Sequence, residues 1–513
     1  MDSHINANRA MQSNVAPSAA ATVPMSFIVP LALAQFIASY AATNMNVAIN
    51  NIATDLSTTV SGVQTAITFF TLTMAALMIP GSKLTDIWGR KFCFILGLIV
   101  YGTGGLIAAI AGLVGVLPGL GVLTFGYSLL EGIGSALMIP PIYILVTVFY
   151  TDLPSRARAF GIVSGAGGIG AAAGPLIGGL VTSAISWRAS FLLQVLVVVG
   201  IIFLSRRIPD PGIQGARPRF DLMGAILSAI GLFFVVFGIL QTGTYGWVTA
   251  NQDFTIGSTV VIPKGGISPV WLFVGIGALF LLWFFLHIRS TERAGKEPLI
   301  PIRLFRNRIS NLGLVTQNVQ WLIMQGMFFT VSVFLQTVRG YNAIQTGLIL
   351  TPATLGILLS SALAGRFARR REQRTLIRAG FVVTIAGTIL LVLMADATSS
   401  ILNYIPGLLL IGLGVGVMLT SSVNVVQGAF PEQDQGGISG VSRSVSNLGS
   451  SLGTALAGSI LVLNLLQGNK NYGLALIVLV IIAGIGLVAA LFLPPEKKTA
   501  QATADVAAKQ AGS

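Results

Sequence analysis

The chain has 513 residues, of which 54% are hydrophobic and only 9% charged. Soluble globular chains carry about 25% charged residues, so a water-facing surface over most of this protein is excluded. A single cysteine, Cys93, rules out an intramolecular disulfide, and the two histidines, His4 and His287, are too far apart for a metal-ligand pattern. With no nucleophile–base arrangement and no Walker-type loop, neither catalysis nor a cofactor is expected.

Residues 1–25 are polar, lack the pattern of a signal peptide, and read as a cytoplasmic tail. About 20 apolar residues cross a bilayer. Fourteen such stretches follow, near 26–48, 63–82, 92–114, 122–149, 159–182, 189–205, 220–243, 270–288, 310–335, 344–366, 376–395, 401–425, 438–465 and 473–493. An even number returns both tails to one side. Of the 30 Lys and Arg residues, 25 fall on that side; Arg188, Lys264, Arg339 and Lys470 fall on the other, and Arg443 lies inside the thirteenth span. Cationic loops stay cytoplasmic, so both termini are expected there, in a multi-pass protein of a cell membrane of the bacterial inner-membrane kind. The net charge of +14 is then a topology signal, and no nucleic-acid partner is needed to explain it.

The loop 244–269, apolar and glycine-containing, is the longest on the far side. The loops 206–219 and 289–309 are the longest on the cytoplasmic side, and they flank the seventh and eighth spans. That pair reads as an insert. The expected division is a tail 1–25, a six-helix bundle 26–205, a two-helix insert 206–309, a second six-helix bundle 310–495 and a tail 496–513. Ser82–Lys91 after the second span and Gly365–Arg374 after the tenth are both short basic turns, a weak parallel repeat of the kind transporters show.

In the first of these turns, Lys83, Leu84, Thr85, Asp86, Gly89, Arg90 and Lys91 stand in register with the signature turn of the major facilitator superfamily, which this chain resembles. Ser82 replaces its opening glycine, and Ile87 its first basic residue. Gly89 suits a tight turn, Arg90 and Lys91 hold the cytoplasmic face, and Asp86 can accept hydrogen bonds from a helix N-terminus. The fifth span carries Gly170, Gly174, Pro175, Gly178 and Gly179, similar to the superfamily's antiporter motif. Glycines four apart make a close-packing ridge, and Pro175 allows a bend. Gly165, Gly167 and Gly170 also fit a dinucleotide-binding pattern, but no strand precedes them.

The order of weaker motifs is similar to the fourteen-helix drug:proton antiporter branch. These include Trp187-Arg188, Phe220-Asp221, Pro298 to Phe305, Leu335-Gln336 and Asn447 to Gly453. The resemblance implies an all-α fold of two six-helix bundles plus two helices. It also implies proton-coupled export of amphipathic or cationic small molecules, with the bilayer, protons and substrate as partners and the chain acting as a monomer. A uniporter, or a lipid or metabolite exporter without the usual coupling, is the alternative. It stays open because Ala41 stands where the branch has an acid, Ser128 and Glu131 replace a basic residue and a glutamine, and Arg443 lies one turn before the usual arginine position, Ser446.

Ionisable residues inside spans face bundle interiors or aqueous cavities. Glu131, with Tyr127, Ser128 and Ser135 at helical offsets, is therefore the expected proton-coupling residue. Thr43, Asn46, Ser128, Gln336 and Arg443 are the expected substrate-cavity residues. If Arg443 approached Glu131, the two would instead form a structural pair. Trp271, Trp283, Trp321 and Tyr404 read as belt or packing residues.

Overall fold

The computed structural model describes residues 25–495, apart from 114–117, 151–152, 211, 213–219, 257–258, 369–370, 397, 431–433 and 463–469. Both expected tails lie outside the described residues, 1–24 and 496–513, as does the middle of the second basic turn. Among the described residues there are fourteen long helices: α1 Met25–Asn44, α2 Val60–Trp88, α3 Arg90–Ala109, α4 Gly119–Phe149, α5 Leu153–Ala184, α6 Trp187–Ser205 and α7 Leu222–Leu240; then α8 Pro269–Arg293, α9 Arg308–Val338, α10 Ala343–Ala368, α11 Gln373–Met394, α12 Tyr404–Gln427, α13 Gln435–Val462 and α14 Lys470–Leu491. Each apolar stretch expected to cross the bilayer is one of them.

Twelve are long and apolar enough to cross a membrane on their own terms, and α5 makes a thirteenth as a bent pair. Helix α13 is 28 residues long but rich in serine. Its hydroxyls face other helices instead of lipid. Ser444 donates to Ala75 O at 2.5 Å, Ser451 meets Thr71 at 2.7 Å, and Ser442 and Ser446 bracket the Gln317 amide at 3.0 and 2.7 Å. A hydroxyl that finds an interhelical partner does not have to be solvated by lipid.

The helices form two six-helix bundles with two additional helices. One apolar core gathers residues from α1 to α6, including Phe70, Tyr101, Tyr127 and Phe191. A second gathers α9 to α12 and α14, including Met324, Phe328, Phe381 and Val415. The additional pair, α7 and α8, packs its aromatic faces together (Phe234 to Phe273, 6.4 Å) and leans on α2 through Phe233 and Phe69, 6.0 Å apart. Trp271 and Trp283 on α8 are exposed; Trp271 lies at the start of the helix, where a belt residue sits, and Trp283 near its middle. The far-side loop contains something the sequence did not suggest: two antiparallel strands, Phe254–Ile256 and Thr259–Ile262. Its run of β-branched residues satisfies the backbone in a ladder.

Asp221 holds the insert in place. It caps α7 by accepting from Gly224 N at 2.9 Å, meets His287 Nε2 on α8 at 2.8 Å, and accepts from Leu299 N at 3.1 Å. Burial alone would raise its pKa, but the Gly224 amide, His287 and the Leu299 amide outweigh it and hold the carboxyl below its ordinary value. A depressed pKa means the stabilisation is present at neutral pH and is lost as pH falls from about 3.9 through the folded value. Asp221→Ala should lower the melting temperature at pH 7, by a loss on the order of 1 kcal/mol from the cap. The gap between variant and wild type should close in acid; equal melting at pH 7 would contradict this role.

Candidate substrate site between the two halves

The end of the molecule carrying residues 82–91 is here the basic end, and the opposite one the far end. Helix α2 runs on through Trp88, farther than the expected turn at 82–91, and a single residue, Gly89 at φ +100°, reverses the chain before α3. Only glycine adopts that backbone without strain. Lys91 donates to Ile208 O at 2.6 Å, tying the turn to the end of α6. Asp86 and Arg90 line a cleft with Glu297, Arg303 and Asp434. Among the described residues Asp86 makes no hydrogen bond to a helix N-terminus. Instead the segment after α8 straps the seam: Glu297 pairs with Lys83 of the first half at 3.3 Å, and Arg303 with Asp434 of the second at 2.6 Å.

The far end is closed. Gln336 donates to Asn46 O at 3.1 Å and accepts from Asn50 N at 3.2 Å; Gln325 donates to Ala42 O at 2.9 Å; Ile344 N donates to Ser183 at 2.9 Å. All four bonds cross between the halves. Asn46 and Gln336, expected in a substrate cavity, therefore sit in this closure.

The glycine motif of α5 has two faces. Gly170, Gly174 and Gly178 lie against α1, where an added Cβ would strike Phe36, Thr43 and Asn44. Pro175 and Gly179 face the other half, against Gly347 and Ala343 of α10. Pro175 has no N–H for the carbonyl of Ala171, and α5 bends 42° beside it. The freed carbonyl accepts from Thr43 at 2.9 Å. Thr43 was expected in the cavity; its hydroxyl is engaged in the helix packing.

Below the far-end closure a small pocket lies between the halves. Helices α1 and α5 supply Gln35, Ser39 and Gly167; α9, α12 and α13 supply Trp321, Leu419 and Arg443. The Arg443 guanidinium stands over the Tyr143 ring of α4 at 4.7 Å. Tyr143 in turn donates to Gln35 Oε1 at 3.2 Å, and Gln35 Nε2 donates to Ser39 at 3.2 Å. Of the five residues expected to form a cavity, Arg443 alone lines this one. Trp321, read as a belt or packing residue, lines it too. Gln35, Ser39 and Tyr143 were missed. The signal was present in the first span: Gln35, Ser39 and Thr43 are four apart and form one polar stripe.

Glu131 and Arg443 are not brought together. Glu131 ends a π-helical stretch of α4, Thr124–Glu131, and is completely buried inside the first half. It lies against Gly105 of α3, with Tyr101 and Tyr127 as neighbours. The Tyr101 hydroxyl donates to Gln194 Oε1 at 2.5 Å and stands beside the Glu131 carboxyl. Ser128 points elsewhere, donating to Ala66 O at 2.7 Å. Arg188, at a span end, is paired with Asp55 and stacked on Trp187 at 4.4 Å.

Two bundles facing each other across a pocket, with one mouth sealed, are the architecture of a membrane carrier. The chain matches the Major Facilitator Superfamily over residues 31–264 and 254–454. It belongs to that superfamily and is a multi-pass membrane transporter. Multidrug resistance protein Stp of Mycobacterium tuberculosis (strain CDC 1551 / Oshkosh) is 26% identical over 81% of this chain and 72% of its own length. Puromycin resistance protein pur8 of Streptomyces alboniger is 27% identical over 84% and 81%. The crystal structure of a D-xylose–proton symporter shares the fold with a TM-score of 0.62 at 12% identity, covering 91% of this chain and 96% of that one.

Proposed function

We propose that this protein exports amphipathic small molecules by alternating access, with the pocket between Gln35, Trp321 and Arg443 as the transport site. The observation that carries this reading is the pocket's position. It lies on the seam between the halves, walled by five helices, and is shut from the far end by bonds that all cross that seam. Relatives named for multidrug and puromycin resistance support export of drug-like compounds. We read the basic end, and with it both termini, as cytoplasmic in a bacterial inner membrane, because 25 of the 30 Lys and Arg residues fall on that side. Far-end closure then corresponds to a pocket that loads from inside. In a Cys93→Ser background, a membrane-impermeant maleimide applied to inside-out vesicles should label Lys296→Cys and spare Lys264→Cys. The reverse would turn the protein over. We read residues 26–205 and 310–495 as the two moving bodies and 206–309 as an insert attached to their seam. The whole operates as a monomer.

Glu131 is our proposed proton carrier. It is the one carboxylate deep within a described span, and its place in a π-helical stretch fits the frequent occurrence of such turns at functional sites. An inward proton supplies about 2.3 kcal/mol per 100 mV of membrane potential. Its separation from the pocket means that coupling would pass through the packing of α3, α4 and α6, with no competition between proton and substrate at one group. That same separation favours the uncoupled alternative, a uniporter. Proteoliposomes with an imposed pH gradient decide between them. With coupling, the wild type accumulates an amphipathic dye uphill, and Glu131→Gln retains equilibrative exchange but loses the accumulation. Undiminished accumulation by a folded Glu131→Gln would exclude Glu131 as the carrier, and no uphill transport by the wild type would favour the uniporter.

A further inference from the structure

Taking the central pocket as the transport site, we propose that its substrate is an organic anion, an apolar or aromatic body bearing a carboxylate or similar oxyanion, and that Arg443 selects it. The charge balance around the pocket supports this. Arg443 makes no ion pair and no hydrogen bond among the described residues. Its one specific neighbour is the Tyr143 ring, 4.7 Å from the guanidinium carbon, which covers a face of the guanidinium and leaves its N–H edge unspent. Six helices surround the site: α1, α4, α5, α9, α12 and α13. Their sequences contain one carboxylate, Glu131, and that is buried in the first half, outside the pocket lining. Asp434, just before α13, is engaged with Arg303 at the basic end.

An unpaired cation inside a membrane bundle is costly and marks a functional site. A carboxylate removes the cost. The planar guanidinium presents two parallel N–H groups to the two oxygens of a carboxylate, a match that lysine cannot make. A lipophilic cation would meet like charge with nothing to compensate it. The rest of the lining suits the other end of such a molecule: Trp321, Leu419 and Val423 for an apolar body, Gln35 and Ser39 for orientation. Gln35 also fixes Tyr143 through its Oε1 at 3.2 Å, so the ring that supports Arg443 is itself held.

Fluorescein and rhodamine 123, which share a ring skeleton and differ in charge, are the probes. Equilibrium binding is measured on the purified full-length protein, and transport separately in proteoliposomes. The wild type should bind fluorescein at least about tenfold more tightly than rhodamine 123, the size of a charge-assisted bond. Arg443→Gln should abolish that preference with no drop in melting temperature, because no partner is left unpaired. Arg443→Lys should keep part of it. Gln35→Glu, which adds a carboxylate to the pocket that Arg443 lines and so cancels its charge, should abolish it too, and it carries the same test if Arg443→Gln does not fold. Equal or cation-preferring binding by the wild type overturns the proposal, as does an unchanged preference in Arg443→Gln. Fluorescein binding without transport leaves the charge selection standing and overturns the exporter reading; rhodamine 123 transport without fluorescein binding does the reverse.

Discussion

Gly174→Leu should eliminate transport and weaken the fold. Helices α1 and α5 approach so closely there that even a Cβ would overlap the Thr43 hydroxyl and press on Asn44 N, 3.1 Å from it. Neither can yield. Thr43 is fully buried and holds the carbonyl that Pro175 leaves free, and Asn44 N belongs to the backbone. Overpacking usually costs about 1–3 kcal/mol, and three further carbons with no flexible neighbour put leucine at or above the top of that range. Loss of the Thr43 bond adds an unsatisfied carbonyl in an environment with no water to replace it. Size-exclusion profiles should show aggregated or poorly folded protein, and Gly174→Ala should fall between leucine and the wild type. Normal turnover by Gly174→Leu would mean that this face of α5 is not packed as described.

Gly179→Leu, five residues on, should have a different effect. Gly179 faces across the seam, where a Cβ would lie 2.5 Å from Ala343 O of the opposite half, and Gly347 is its counterpart against Pro175 O. The first half does not need this contact to fold. Closing the far end does. The same overpacking cost of about 1–3 kcal/mol then falls on one conformation only, shifting the population toward far-end-open molecules by roughly 5- to 150-fold. Folding and melting should stay near wild type, substrate should still bind, and turnover should collapse. A variant that transports normally with its far end closed would remove α5 and α10 from the gate.

This division of one glycine motif between two jobs was only half legible in the sequence. The four-residue spacing of Gly170, Gly174 and Gly178 announces a packing ridge, but spacing does not say which helix fills it. The partner residues Thr43 and Ala343 are more than 100 positions away in opposite directions. Thirteen of the fourteen helices were legible because each is a long apolar run; α13, rich in serine, was legible only because no charge but Arg443 and no proline interrupts its length. The reach of α2 through Trp88 was hidden by Lys83 and Asp86, charges that look like a loop but lie on a helix emerging at the basic end. The pocket was the least legible part. Glu131 and Arg443 stand out as charges in spans, yet similar prominence hid different settings, one closed inside a half and one on the seam. Gln35 and Ser39 are uncharged and drew no notice, although their stripe with Thr43 marked the inward face of α1.

The central claim is that the two halves rock about the pocket so that its two mouths alternate. Spin-label pairs test it most directly, in a Cys93→Ser background reconstituted in liposomes. One pair spans the far end, Ile185→Cys with Gln345→Cys; the other spans the basic end, Phe92→Cys with Asn424→Cys, and all four sites are exposed. Under an imposed pH gradient with a transported dye present, the two distances should change in opposite directions, one lengthening as the other shortens. Distances that lengthen together, or that stay fixed while dye is moved, would contradict it.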